Sequence, residues 1–388
     1  MPMASLSLII MNRETICSSF WEHEVFYKDA DIIIIGAGIV GLTAALNIKE
    51  KEPTSRVCIL EKGHIPTGAS TRNAGFACFG SISELKEDML HIDREDVVET
   101  LKLRHEGLIE MRRWVTPDLC EYENLGGYEL FTTDQEDLFQ SCARLIPEYN
   151  QMMKEVLGIS HTYSIKDGHV IGIKSKLPLI HNQYEGQLHP ALLVNELIQK
   201  ARANGVKVMF GMSVDAVEEE GNRVRVTCAN DRSIMASQVI HATNAFSRKL
   251  LRVEDVIPVR NQVYVTQEIS GLQLKGCFHH DRGYIYFRNV GNRVLIGGAR
   301  NQVDTESVDE FGTTDEVRQI LKEFLESQIL DAEVKFEYGW SGIIATGSTK
   351  KPIIKRINKH HIAAYRLGGM GVAIGSMVGK KAAALALS

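Results

Sequence analysis

Gly36, Gly38 and Gly41, followed about twenty residues later by Glu61, have the types and spacing to hold an adenine dinucleotide. Gly36 permits a tight turn, Gly38 lets backbone approach a phosphate, and Gly41 lets a helix pack close to the strand before it. A helix start at this point supplies free N–H groups and a partial positive charge to a pyrophosphate. Glu61 ends the second apolar run, where a carboxylate can bind a ribose hydroxyl. A second group of candidates lies in Gly283-Tyr284-Ile285-Tyr286-Phe287-Arg288. On a strand, Tyr284, Tyr286 and Arg288 share one face, and two phenols with a guanidinium can orient a small carboxylate. The competing reading is a solvated strand face, because any half-exposed strand alternates in this way. Arg300 and Arg260 are further candidates, each equally able to pair with a structural carboxylate. Lys350 and Lys351 precede Pro352 and fit a surface turn better than a site. His279-His280-Asp281 resembles a metal cluster only superficially, since neighbours on a strand point to opposite faces. A hairpin end is expected there, with no metal ligation. His189, before Pro190, reads as structural.

These residues need elements to position them. Ile32 to Ile35 is an apolar β-branched run leading into the glycines, and Leu42, Ala45, Leu46 and Ile48 continue with helical spacing. Val57 to Leu60 reads as the next strand, followed by a small, polar loop from Gly63 to Gly80. Helices are predicted over Ser83–Leu90 (entered by a capping pair Ser83/Lys86 that lacks its acid), Glu95–Trp114, Asp134–Leu157, Pro190–Ala203, Glu316–Gln328 and Val372–Leu387. Strands are predicted at Tyr128–Thr132, Val206–Phe210, Ser213–Glu218, Arg223–Cys228, Ser233–Ile240 and Val334–Trp340. Residues 257 to 300 alternate as antiparallel sheet does. Ser18 to Tyr27 reads as a short element packing aromatics onto the body, with a loose arm as the alternative.

Composition narrows the function. A net charge of −5 over 388 residues gives no basis for nucleic-acid or anionic-membrane binding. Seven scattered cysteines without a C-x-x-C argue against a disulfide framework or zinc motif and fit a reducing cytosol, so a cytoplasmic protein is expected. Leu6 to Met11 lacks the basic flank and cleavage site of a signal peptide, and translation from Met11 is equally readable. The longest apolar run, Ile32 to Leu46, is broken by glycines and too short to span a bilayer.

The chain after Glu61 does not continue with further strand–helix units. It runs into Gly68-Ala69-Ser70-Thr71-Arg72-Asn73-Ala74-Gly75, residues suited to wrap a second mononucleotide. With the 36–41 turn, Glu61-Lys62, Val239 to Ala245 and Gly368-Gly369-Met370-Gly371, the sequence resembles the D-amino-acid oxidase-type (DAO) family of FAD-dependent oxidoreductases, from about residue 30 to the end. The resemblance implies an α/β plus α+β fold: a Rossmann-like FAD-binding domain built from separated segments (29–90, 180–250 and 340–388) and an antiparallel-sheet substrate domain (91–179 and 251–339), after an extension of residues 1–28. It implies FAD contacts from Gly36, Gly38, Gly41, Glu61, Lys62, Ser70, Thr71, Arg72, Asn73, Gly75, Val214, Ala242, Thr243, Gly369, Met370 and Gly371. It also supports Tyr284, Tyr286 and Arg288 as substrate residues, with Arg300 kept as the further candidate. Asn73 stands where some members carry a flavin-linking histidine, and Ile343 to Pro352 lacks the cysteine that others use, so noncovalent FAD is expected. The expected activity is oxidation of a carbon–nitrogen bond in an amino acid or amine, with electrons passing to oxygen or another acceptor. A dehydrogenase of a 2-hydroxy acid or polyol and a flavin-containing assembly subunit without turnover are the alternatives. The partners are then small molecules, and the oligomeric state stays open.

Overall fold

Ile32, Ile33, Ile34 and Ile35 lie inside the Ala30–Ile35 strand and are all buried, as a β-branched run flanked by strands on both sides requires. The computed structural model describes residues 19–388 except 169–172, 174–175, 230–231 and 331, so the readings of Leu6–Met11 and of a Met11 start lie outside the described residues. The Ala30–Ile35 strand is central in a sheet ordered Ile353–Arg356, His361–Tyr365, Ser233–His241, Ala30–Ile35, Val57–Leu60 and Lys207–Met209. Every neighbouring pair along that path is parallel except the outermost one, Ile353–Arg356 with His361–Tyr365. The hairpin Val214–Glu220 and Arg223–Cys228 hangs from Ser233–His241.

The second sheet has eight strands in the order Phe336–Thr346, Ile257–Thr266, Arg293–Gly298, Ile285–Val290, Cys277–His280, Gly127–Leu130, Leu179–Asn182 and Tyr163–Lys166. Its pairs are antiparallel apart from Cys277–His280 with Gly127–Leu130. The 257–300 alternation therefore emerges as four strands of this sheet. Phe336–Thr346 runs through residue 340, so the change of segment expected there falls inside a strand.

Helix packing decides where the site opens. Gly375 and Gly379 on the helix Gly371–Ala386 face the helix Ile39–Lys51. A Cβ at Gly375 would lie 2.9 Å from Ile39 Cγ2, and one at Gly379 only 2.1 Å from Thr43 Oγ1. Missing side chains thus let the two backbones meet, with both helix N-termini at the same end of the parallel sheet.

Most predicted elements fall within a few residues of those observed, and Pro190–Ala203 matches at both ends, with His189 Nδ1 accepting from the Leu192 N–H as its cap. The helix predicted over Ser83–Leu90 runs Ile82–His91, and its cap is Ser81, whose Oγ accepts from the Glu84 N–H at 3.4 Å. The true capping pair is thus Ser81/Glu84, two residues before the one predicted. The expected packing of aromatics near the start holds for Tyr27, which packs against the parallel-sheet core, but not for Phe20 and Trp21. Phe20 and Trp21 form a short capped turn and remain 67% and 74% exposed, stacking edge-on against each other instead of on the body. No helix among the described residues is long and apolar enough to cross a membrane.

Candidate active site

A cavity of about 1210 Å³ opens between the two sheets, beneath the converging helix starts. That volume exceeds the 300–1,000 Å³ or so of ordinary small-ligand pockets. Gly36 forms the turn at its floor with φ of +108°, a conformation that side chains rarely adopt, and a Cβ there would lie 2.8 Å from the Ala242 carbonyl oxygen. Gly41 does not reach the wall. Its α-carbon faces the Gly36 carbonyl so closely that a Cβ would lie at 2.0 Å, which is the helix–strand contact its spacing predicts. Glu61 is buried at the end of its strand, its two carboxylate oxygens accepting from the Ala37 and Gly63 N–H groups at 3.0 Å each. Lys62 lies 3.6 Å over the Phe246 ring, and burial lowers its pKa.

The 68–75 loop is stitched to both sheets. Ser70 Oγ accepts from the Ile39 N–H at 3.0 Å, satisfying one free donor of the glycine-turn helix. Asn73 Nδ2 donates to the Ala69 and Ser70 carbonyls while its Oδ1 accepts from Gly75 N–H. Arg72 Nη1 donates to the Ser341 carbonyl, and Trp340 Nε1 donates to the Arg72 carbonyl at 2.9 Å. Thr71 instead turns its hydroxyl to the Pro66 carbonyl and, like Gly75, lies outside the wall. Val214, Ala242, Thr243, Gly369, Met370 and Gly371 all line the cavity with Gly36, Gly38, Glu61, Lys62, Ser70, Arg72 and Asn73. Gly368 and Gly369 have open space where a Cβ would stand, and no side chain caps the helix Gly371–Ala386 at Met370. Glycine turn, open glycines and the uncapped start of Gly371–Ala386 make a cradle that FAD fits.

The antiparallel sheet supplies the opposite wall. Tyr284, Tyr286 and Arg300 line it, with the Arg300 guanidinium 4.9 Å from the Tyr284 ring centre. No carboxylate among the described residues pairs with Arg300 or Arg72, but Arg72 is held by the Ser341 carbonyl and the Phe311 ring, whereas Arg104, Arg282 and Arg366 pair with Glu84, Asp281 and Asp255. Burial pushes the Tyr286 phenol up to about 12, with Arg300 opposing it only partly.

Arg288 is a correction. It is only 7% exposed and does not line the cavity. The Ala74–Gly75 turn crosses its end of the strand, so its guanidinium donates to the Ala74 carbonyl at 2.5 Å and to the Leu188 carbonyl at 3.1 Å. Arg260 takes its structural alternative, donating to the Glu306 carboxylate through Nε and Nη2. Lys350 and Lys351 lie at the cavity mouth, paired with Glu84 and Asp88 and with Asp96 and Glu99. His279 and His280 do point oppositely: His280 packs on Phe324, while His279 enters the cavity wall beside Phe76.

Two wall residues carry no signal that local spacing could reveal. Asn261 Oδ1 is buried there without a hydrogen-bond partner, on the strand face it shares with Val263. Cys78, from the stretch after the 68–75 loop, lines the wall close to His279.

Residues 31–385 match the family model described as FAD dependent oxidoreductase (DAO). A probable oxidoreductase OrdL of Haemophilus influenzae is 24% identical over 379 residues, covering 91% of this chain and 82% of that protein. An L-2-hydroxyglutarate dehydrogenase of Indibacter alkaliphilus is 25% identical, covering 61% of this chain and 57% of that one. Among solved structures, glycine oxidase from Geobacillus kaustophilus superposes with a TM-score of 0.75 at 19% identity, covering 93% of this chain and 95% of its own. L-proline dehydrogenase from P. horikoshii superposes with a TM-score of 0.73 at 17% identity, covering 92% and 93%.

Proposed function

The chain belongs to the DAO family of FAD-dependent oxidoreductases, and from that premise we propose that it oxidises a carbon–nitrogen bond of a carboxylate-bearing amino acid or amine. The observation that carries this reading is Arg300, a guanidinium in the cavity wall with no carboxylate partner among the described residues. A half-buried guanidinium of this kind binds an anion by charge-assisted hydrogen bonds, and its planar fork suits a carboxylate. Structures of the same fold named as glycine oxidase, iminodiacetate oxidase and L-amino acid deaminase support an amino-acid substrate.

Bound FAD supplies the acceptor for the hydride. The chain itself binds, orients and shields. Arg300 holds the carboxylate, and Tyr286 remains protonated because burial pushes its phenol up to about 12. Tyr286 therefore acts as a hydrogen-bond donor that fixes orientation, and it does not serve as a base at neutral pH. Uncapped N–H groups at Gly371 and Val372 favour negative charge in the cavity. Retention of FAD is noncovalent: the Asn73 amide is engaged by its own loop, and no cysteine occurs from Ile343 to Pro352. Acid precipitation should leave a colourless pellet and a yellow supernatant; a yellow pellet shows a covalent link.

A second reading, oxidation of a carbon–oxygen bond in a 2-hydroxy acid, draws on the similarity to L-2-hydroxyglutarate dehydrogenase and would use the same Arg300 clamp. Anaerobic bleaching of the flavin by a panel of amino acids, N-alkyl amino acids, polyamines and hydroxy acids separates the two. Bleaching by hydroxy acids alone sinks the carbon–nitrogen reading. A panel that bleaches nothing while FAD stays bound points to a subunit without turnover. The same assay under air, with and without an artificial acceptor, tells whether oxygen takes the electrons.

A further inference from the structure

Cys78, Glu185 and His279 come from three separated segments, yet their ligand atoms all lie within 4.8 Å of one another. Cys78 follows the 68–75 loop, Glu185 precedes the short strand Gly186–Gln187, and His279 sits on Cys277–His280. From this convergence we infer that the three side chains form a binding site for one borderline-soft divalent transition ion of the zinc type, open to the cavity at its fourth position.

The donor atoms are already arranged for it. Glu185 Oε1 accepts from the Phe79 and Gly80 N–H groups at 2.8 and 3.0 Å, which fixes the carboxylate and leaves Oε2 facing His279. His279 Nε2 stands 3.7 Å from that Oε2, beyond hydrogen-bond length. Adjacent ligand atoms in a tetrahedral zinc site lie roughly 3.3–3.6 Å apart, given bonds of about 2.0–2.3 Å. Small side-chain rotations therefore suffice to close the set. Thiolate and imidazole select zinc and its first-row neighbours over magnesium or calcium.

Charge and access agree. A thiolate and a carboxylate balance a divalent ion, with neutral imidazole as the third ligand. In the metal-free protein burial pushes the Cys78 thiol well up, with Cys277 and Glu185 adding to it. Loading the ion displaces the thiol proton, as thiolate ligation requires. Cys78 and His279 line the main cavity while Glu185 lies behind, so an ion enters from the cavity and keeps an open position toward it.

The test uses the FAD-loaded protein and zinc chloride, with bound metal measured by equilibrium dialysis and elemental analysis. One zinc per chain is expected, with an affinity that rises with pH. Cys78→Ser, Glu185→Gln and His279→Gln should each weaken it about tenfold or more. Equal zinc binding by wild type and all three variants, or affinity independent of pH, overturns the proposal. Cobalt substitution of the wild type covers the case in which a variant fails to fold. A tetrahedral thiolate-bound Co²⁺ absorbs in the red, beyond the flavin bands, and absence of that absorption also overturns the proposal.

Discussion

Tyr286 occupies the space that a side chain on Gly297 would need: a Cβ there would lie 2.6 Å from the Tyr286 ring and 2.7 Å from its hydroxyl oxygen. The two residues face each other across the Ile285–Val290 and Arg293–Gly298 strands. Gly297 has no positive φ, so only space is at stake. Gly297→Ala should push the phenol off its position, raise KM about tenfold and leave flavin content unchanged, since the loss amounts to one hydrogen bond. Steady-state kinetics beside the flavin-to-protein absorbance ratio checks this.

Arg300→Ala should lower kcat/KM for a carboxylate substrate by roughly ten- to a hundredfold, the worth of a charged hydrogen bond of about 1.5–3 kcal/mol. Arg300→Lys restores charge without the planar fork and should recover part of that loss. Unchanged kinetics in both variants would remove Arg300 from the substrate site.

Arg288→Met should act on stability and not on substrate. The guanidinium is the buried donor to the Ala74 and Leu188 carbonyls, and its loss leaves both unpaired at a combined cost of roughly 2–4 kcal/mol. Because those carbonyls flank the flavin-side loop, FAD release in urea should begin at lower concentration while KM stays near the wild-type value. A large rise in KM with unaltered urea behaviour contradicts this assignment.

Acid should unfold the protein in two stages. Burial, helped by neighbouring His361, pushes His241 from 6.5 down to about 3, and its Nδ1 is buried without a partner. The unfolded chain therefore takes up a proton that the folded one refuses, and stability is lost as pH falls from about 6.5 toward 3. For Glu84, burial opposes ionisation but Arg104 and Lys350 outweigh it, bringing the carboxyl from 4.5 to about 2. Its contribution is complete above 4.5 and lost between there and 2, on the order of 3 kcal/mol in all. Urea titrations at fixed pH should show a flatter slope for His241→Gln between pH 6.5 and 4.5. Glu84→Gln should flatten only the lower stage.

Chemistry carried by contiguous residues was legible in the sequence. The glycine turn, Glu61 and the 68–75 loop depend on spacing along one strand–turn–helix, and backbone geometry converts such spacing into position. The family signature adds Val239 to Ala245 and Gly368 to Gly371, further short segments each readable on its own, and the cavity gathers residues of all of them. Alternation put Tyr284, Tyr286 and Arg288 on one face, and of these Tyr284 and Tyr286 line the cavity. It could not say which side chain on that face meets the cavity. The Ala74–Gly75 turn crosses at Arg288, and nothing in the strand's own residues announces a carbonyl 214 positions away. Cys78, Glu185 and His279 are likewise invisible as a set. Strand register and the fold of the 75–80 segment bring them together, and the adjacent His279-His280 pair gives no sign of it, since its two rings point to opposite faces. Sequence determined the turn and the strand faces, because those follow from local backbone periodicity. Tertiary structure decided the cation left unpaired and the side chains that converge, because these depend on packing between segments with no fixed spacing along the chain.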